Sequence, residues 1–371
     1  AKEYEKTSRD KKQYDEILTQ LTESNTAIVE YLNNPNYTKE DVEAVFTTDW
    51  DVLKHARIIK QSYGFGFDSI EALMKDLSSA LKRFNDRLDY NLNIDYDGRK
   101  IVGDNPNDFK DRSYGNGDVR AKNGRTHGTH VSGIIAANRN NGIGMNGVAN
   151  NVKIMAIRNT PSGDEYDKDV ALGVYYAVDN GAKVINMSFG KAFSPHSDWV
   201  RDAIAYAAEK DVLIVAAAGN DGKDTDQINY FPNDQINNGT EVSNTFLKVG
   251  SNGPRYGSTL AASYSNYGKN TVDVFAPGSQ IYSTYPKNTY EFASGTSMAS
   301  PLVAGVAALI FSQYPNLSAA QVKQILMASG IVINKKVSLE SGRIVPFTEL
   351  SQSGNIVNAY NALIMAKKLS K

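Results

Sequence analysis

The chain has 371 residues, more than one compact domain usually holds, so a large domain with an addition is expected. Hydrophobic residues make up 41% and charged residues 22%, a globular rather than a disordered composition. The formal net charge of −1 gives no pull toward nucleic acid or an anionic membrane, and the lack of cysteine excludes disulfides, thiolate zinc sites and a cysteine nucleophile. No run of 18 apolar residues occurs, so no membrane span is expected. The first six residues do not form a signal peptide, and removal of one before residue 1 is compatible with the sequence.

Residues 1–34 are charged, with Tyr14, Leu18, Leu21, Ile28 and Leu32 at helical spacing, and Pro35 ends the pattern. Thr38 with Asp41 forms a capping-box pattern opening a short helix through Val42 and Val45. Trp50, Leu53 and Ile58 predict another helix. After Gly64 and Gly66, Asp68 or Ser69 caps a longer one with Leu77, Leu81, Phe84 and Leu88 on one face. Residues 1–90 therefore read as three or four helices, either an insertion packed on the main domain or a separate regulatory module; lone His55 reads as surface. From Leu92 to His127 the chain is polar and loop-rich, and Asp95, Asp97, Asp104, Asp108, Asp111 and Asp118 read as solvated turns. Such oxygens suit a hard cation, but no twelve-residue calcium-loop pattern is present.

Beyond His127 the pattern alternates. A helix is expected over 131–137, a strand over 152–157, and a helix carrying Val170, Val174, Ala177 and Val178. A strand over 184–187, a helix through Val200, Ile204 and Ala208, and a strand over 212–216 follow. Apolar strands alternating with helices imply a parallel sheet covered on both faces. Residues 220–245 read as loop, 246–250 and 272–275 as strands. Ser318 with Gln321 caps a helix through Val322, Ile325 and Leu326, and the tail over 354–369 is an amphipathic helix.

One stretch carries a candidate nucleophile. Gly295-Thr296-Ser297-Met298-Ala299-Ser300-Pro301 opens an apolar run to Phe311 that reads as a buried helix with Pro301 in its first turn. Ser297 at a helix N-terminus suits attack that creates an oxyanion, although an ordinary capping serine would look the same. Four further stretches separate these readings: His127-Gly128-Thr129-His130-Val131-Ser132-Gly133, Val184-Ile185-Asn186-Met187-Ser188-Phe189-Gly190, Val215-Ala216-Ala217-Ala218-Gly219-Asn220, and Val274-Phe275-Ala276-Pro277-Gly278. In this order the five resemble the subtilases, the subtilisin-like serine proteases, over roughly residues 95–371.

The resemblance implies an α/β fold, a doubly wound, mostly parallel sheet of the subtilisin type with an N-terminal all-helical insertion. Residues 1–94 would form the helical subdomain and 95–371 the catalytic domain. It implies Ser297 as nucleophile, His127 as general base and Asn220 as oxyanion donor. Ser188, Phe189 and Gly190 would pair with an extended peptide or protein substrate, and Ala217, Ala218 and Gly219 would line the pocket for the residue before the cut. Small side chains there hint at large apolar residues, whereas Asp221, Asp224 and Asp226 nearby would favour basic ones. His130, three residues after His127, is expected to pack or bond locally; as a metal pair the two lack a third ligand. His196 reads as surface. The loop over 138–147 resembles the family's calcium loop with one residue inserted. No cofactor is required, calcium is left open, and no other metal site is expected. Export to the periplasm, cell surface or medium is implied.

One family element is missing. A histidine base needs an acid to fix its tautomer, and in subtilases that Asp ends an apolar strand before the histidine motif. No such stretch occurs in residues 1–126; Asp95 and Asp97 follow only Leu92 and Ile94. The expectation is an Asp-bearing strand upstream of residue 1, acting as a partner of this chain. A catalytically silent, subtilase-like peptide-binding module is the alternative.

Overall fold

The computed structural model describes residues 2–64, 69–120, 125–236 and 239–370; Gly66 and the Asp68 cap lie outside them. The chain separates into two compact units, Ala1–Gly98 with Ser162–Asp164, and Arg99–Pro161 with Glu165–Lys371.

The first unit contains helices α1 (Lys2–Leu32), α2 (Lys39–Glu43), α3 (Trp50–Tyr63) and α4 (Ile70–Asp86), the last running into a π-helical turn at Arg87–Asn91. Both halves of the capping box form: the Thr38 N–H donates to Asp41 Oδ2 at 2.8 Å, and the Asp41 N–H to Thr38 Oγ1 at 3.2 Å. Asp49 and Ser69 cap α3 and α4. Leu21, Ile28, Val42, Ile59, Leu73 and Leu77 are its buried core. Among the described residues this unit has no strand.

The second unit is a doubly wound α/β fold. In chain order it comprises α5 (His127–Ala136), α6 (Asp167–Asp179), β1 (Val184–Met187), α7 (Ser197–Glu209), β2 (Leu213–Ala217), β3 (Phe246–Asn252), β4 (Val274–Pro277), β5 (Ile281–Tyr285) and β6 (Thr289–Ala293). Then come α8 (Thr296–Gln313), α9 (Ala319–Ala328), β7 (Ile331–Val332), β8 (Lys336–Ser338), β9 (Ile344–Pro346), β10 (Asn355–Ile356) and α10 (Ala359–Leu369). The sheet order is β1-β2-β3-β4-β10-β7, parallel except for β7. Alternation along the strands feeds two cores. Leu213, Val215, Leu247 and Val249 face α8, α9 and α10, while Ile214, Ala216 and Phe246 face α6 and α7. Helix α8 is apolar enough to cross a membrane by composition, but it lies mostly buried on the sheet as a core helix.

Three expectations change. Residues 152–157 join no ladder, and Ile154, Met155 and Ile157 are exposed. A strand needs a partner for its N–H and C=O groups, and among the described residues none pairs with this segment. The β5–β6 hairpin went unforeseen, and the tail helix begins only at Ala359, capped by Asn358, because Asn355 and Ile356 pair with β7 and β4.

Asp104, read as a solvated turn acid, is shut off from solvent with Lys168 and Arg99. Lys168 Nζ donates to Asp104 Oδ2 at 2.6 Å and to the Asn105 carbonyl at 2.8 Å; Arg99 also grips Asp169. Burial alone would raise the Asp104 pKa, but the hydrogen bonds and charges of Lys168 and Arg99 outweigh it and hold the carboxyl below its ordinary value. Its stabilisation is therefore complete above the ordinary carboxylate range and is lost as pH falls through the depressed pKa. Asp104→Asn should cost about 1–3 kcal/mol, because it removes the carboxylate shared by Lys168 and Arg99, while Asp169 still pairs Arg99 and the Asn105 carbonyl still accepts from Lys168. Urea denaturation at neutral pH checks this, and the difference from wild type should shrink in acid.

Candidate active site

Parallel α/β sheets offer a crevice beyond the carboxyl ends of their strands. Here β1 and β2 end side by side, with Met187 opposite Ala216, and the N-terminus of α8 arrives against them. Its approach is set by hydrogen bonds. The Gly219 N–H donates to Thr296 Oγ1 at 3.1 Å, and the Thr296 N–H and Oγ1 donate to Asn220 Oδ1 at 2.8 and 3.0 Å. With its oxygen so held, Asn220 presents Nδ2 as a donor that has no acceptor among the described residues, on an exposed side chain. Gly295, at φ 155°, occupies a region close to glycine-only, and a β-carbon there would sit 3.5 Å from Asn220 Nδ2.

Ser297 is the second residue of α8. Its N–H is one of the first-turn donors that a helix cannot satisfy internally, and it has no acceptor among the described residues. Its Oγ donates to the Ser188 carbonyl at 3.1 Å. Pro301 lies inside the helix, not in its first turn. It cannot donate to the carbonyl four residues back, which is that of Ser297. Ser188 Oγ donates to this freed carbonyl instead, at 2.8 Å. Ser188 Oγ in turn accepts from Asn186 Nδ2, and Asn186 Oδ1 accepts from Ser300 Oγ at 2.7 Å. Sequence reasoning missed Thr296, Asn186 and Ser300 as members of this network. The available signal was a proline four residues after the serine, which demands an outside donor.

His127 opens α5, and Val131 and Ile134 of that helix pack with Met298 beside Ser297. The β5 strand fixes the helix start: Ser283 Oγ donates to the His130 carbonyl at 2.8 Å and Thr284 Oγ1 to that of Thr129 at 2.9 Å. Gly133 permits this approach, since a β-carbon would fall 2.2 Å from Thr284 Oγ1. The His127 ring is open to solvent but set among protein atoms on its other sides. That partial desolvation, then the neighbouring His130, lowers its pKa from the usual 6.5. Among the described residues nothing is hydrogen-bonded to the ring, carboxylate or otherwise. His130 is buried, with Nε2 3.1 Å from both the Ile281 and Glu291 carbonyls, so it is a neutral packing residue with Nε2 protonated.

Of the strip 188–190, Ser188 is buried in the network above, and the Phe189 side chain turns into the core beside α6 and α7. Ala217 and Ala218 are buried, Ala218 against Leu260 and Phe275. Asp226 accepts from the Asn270 and Thr271 N–H groups and so closes a turn, while Asp221 is exposed. His196 stacks on Trp199, and His55 bonds to Ser24.

The loop over 138–147 does not suit a divalent cation as arranged. It has no carboxylate, the Arg139 guanidinium donates to the Gly147 and Val148 carbonyls, and Asn141 and Asn146 oxygens accept from loop N–H groups. Among the described residues no three His, Asp or Glu side chains cluster to hold a metal.

A doubly wound sheet, a helix-start serine with two free N–H donors beside it, and a histidine on the adjoining helix form an arrangement fit for nucleophilic acyl transfer. The chain belongs to the subtilase family, whose model matches residues 76–347. It is 41% identical over 223 residues to a thermophilic serine proteinase of Bacillus sp. strain AK1, covering 60% of this chain and 49% of that protein. It is 43% identical over 199 residues to thermitase of Thermoactinomyces vulgaris, covering 53% and 64%. The chain thus spans about half to two thirds of these two relatives. Among solved structures, a protease from Pseudoalteromonas arctica aligns with TM-score 0.55 and 32% identity, over 67% of this chain and 74% of that one.

With no carboxylate on its ring, His127 should titrate by NMR with a midpoint below 6.5. A carboxylate brought to the ring would stabilise the cation and move the midpoint up.

Proposed function

We propose that the protein is a serine endopeptidase acting through an acyl-enzyme on extended peptides or proteins. The observation that carries this is the pinned Asn220 oxygen, which leaves the Asn220 Nδ2–H and the Ser297 N–H free beside the Ser297 hydroxyl. Ser297 Oγ leaves the Ser188 carbonyl, gives its proton to neutral His127 and bonds to the scissile carbonyl carbon. The resulting oxyanion takes hydrogen bonds from Asn220 Nδ2 and the Ser297 N–H. His127 returns the proton to the leaving amine, and water then repeats the sequence on the ester. The backbone of 188–190 would hold the substrate as an added strand, beside the wall formed by 217–219. The helical residues 1–94 are an insertion outside this chemistry, and the enzyme is exported.

The third catalytic member is an Asp on a further extended segment, expected upstream of residue 1. Two features support it besides the bare His127 ring. Among the described residues strand β1 is bonded on one side only, and the apolar residues of 152–157 join no ladder. A strand added to the β1 edge would satisfy its backbone groups and cover apolar side chains. The bare ring equally favours the second reading, a silent peptide-binding module; labelling of Ser297 by a fluorophosphonate decides between them.

Ser297→Ala should abolish casein cleavage without loss of fold. Asn220→Ala should lower kcat by about 10²–10³ with a smaller change in KM, since the oxyanion forms only on the way to the transition state. A loss mainly in KM would make Asn220 a binding residue.

Restoring the Asp-bearing segment should raise both the thermal midpoint and the activity of the 371-residue chain. Its Asp→Asn form should raise the midpoint alone, with turnover lower by about 10⁴. Full activity of the chain without the segment would remove this part of the reading.

A further inference from the structure

The cleft between the ends of β1 and β2 has a floor, and the floor is one side chain. Strands β1 and β2 pair as far as Met187 and Ala216, and the chain then diverges on either side of Ser297. Three residues past each of these lie Gly190 and Gly219. A β-carbon on Gly190 would fall 2.7 Å from Tyr230 Cε1, and one on Gly219 would fall 2.5 Å from the same atom. A single ring edge is therefore pressed against both glycines, in the space their missing side chains leave. Alanines 217 and 218 add no volume there, because both are buried and Ala218 points into the core.

The ring is held from behind. Phe231 exchanges two backbone hydrogen bonds of 2.9 Å with Lys191, next to Gly190. The Tyr230 carbonyl accepts from Lys248 Nζ at 3.2 Å and from Asn233 Nδ2 at 3.3 Å. Lys248 is buried on β3, and its N–H bonds to Asp273. These bonds fix the backbone that carries the ring, and the ring edge itself is placed by its contact with Gly190 and Gly219.

In the proposed reaction, a scissile carbonyl held by Asn220 Nδ2 and the Ser297 N–H would bring the side chain of its own residue toward the glycines that the Tyr230 ring covers. We infer that Tyr230 sets the specificity of the reaction, limiting the residue on the acyl side of the cut to glycine, alanine or serine and excluding aromatic and long aliphatic ones. This deepens the proposed peptidase reading and rests on it for the identity of the cleft. The three small residues at 217–219 would by themselves admit a large side chain; the ring takes up the room they leave.

The test has a kinetic and a binding arm. Succinyl-Ala-Ala-Pro-Xaa p-nitroanilides with alanine or phenylalanine at Xaa are compared on the protein with its native N-terminal sequence. The alanine substrate should be favoured in kcat/KM by at least about tenfold, the scale of discrimination by pocket volume. Tyr230→Gly should move the ratio toward phenylalanine by about tenfold or more, with circular dichroism confirming the fold. Calorimetric binding of N-acetyl-Ala-Ala-Pro-Ala and N-acetyl-Ala-Ala-Pro-Phe to Ser297→Ala supplies a readout independent of chemistry and of the Tyr230 variant. Tighter binding of the alanine peptide supports the inference even if no substrate is cut, in which case the peptidase reading fails and the cleft assignment stands. A preference for phenylalanine in either arm, a ratio unmoved in folded Tyr230→Gly, or equal or absent binding of both peptides would overturn it.

Discussion

The site depends on a carbonyl that its own helix cannot satisfy. Pro301 removes the N–H that would have bonded to the Ser297 carbonyl, and a buried acceptor left bare costs about 1–3 kcal/mol. Ser188 Oγ, just past the end of β1, supplies the bond. One defect in the helical ladder thereby ties the first turn of α8 to the sheet. The return bond from Ser297 Oγ to the Ser188 carbonyl makes the contact reciprocal and holds that hydroxyl against the end of β1. Asn186 and Ser300 brace it from below, and Ser300 Oγ also donates to the Val215 carbonyl of β2 at 3.1 Å, so the oxygen position is set by two strands and a helix. Thr296 performs the matching task on the other side, turning Asn220 so that its N–H₂ faces outward.

The same accounting separates the strands by how fully they are paired. Strands β2, β3 and β4 are bonded on both sides and fully buried or nearly so, whereas among the described residues β1 is bonded only to β2, and three of its four residues are half-buried. A parallel strand of the sequence Val-Ile-Asn-Met is composed for burial on both faces and both edges. The apolar residues Ile154, Met155 and Ile157 are more exposed still, although their type is ordinarily buried.

Much of this was legible because it depends on local pattern. Capping boxes at Thr38 and Ser318 and the apolar strands around Ile214 and Val249 rest on spacing, and the structure repeats them. The five family motifs carried the order of Ser297, His127 and Asn220 along the chain. What was not legible depends on distant partners. The strand over 152–157 has the right residues and no ladder, since pairing is a property of the neighbour. Asp104 looked like a turn acid because its cations, Arg99 and Lys168, come from different segments. Tyr230 stands in a polar stretch read as loop, and only tertiary packing brings its ring against Gly190 and Gly219.

Those long-range effects share a physical cause. Loops around a parallel sheet carry carbonyls that no ladder satisfies, and buried carbonyls need donors. In this unit long cationic side chains serve them. Lys168 reaches the Asn105 carbonyl, Lys191 that of Glu165, Lys248 that of Tyr230, and Arg139 those of Gly147 and Val148. Two of them also meet a carboxylate: Lys168 meets Asp104, and Lys191 meets Asp167 at 2.8 Å. Lys323 closes on Asp273 at 3.1 Å beneath β3. A lysine offers three donors on a flexible stem, so it can bridge a carbonyl and a carboxylate from different segments at once. Hydropathy counts such a residue as surface, yet here it does the work of a missing ladder. The backbone of Tyr230 is anchored by that means, through a lysine buried on β3.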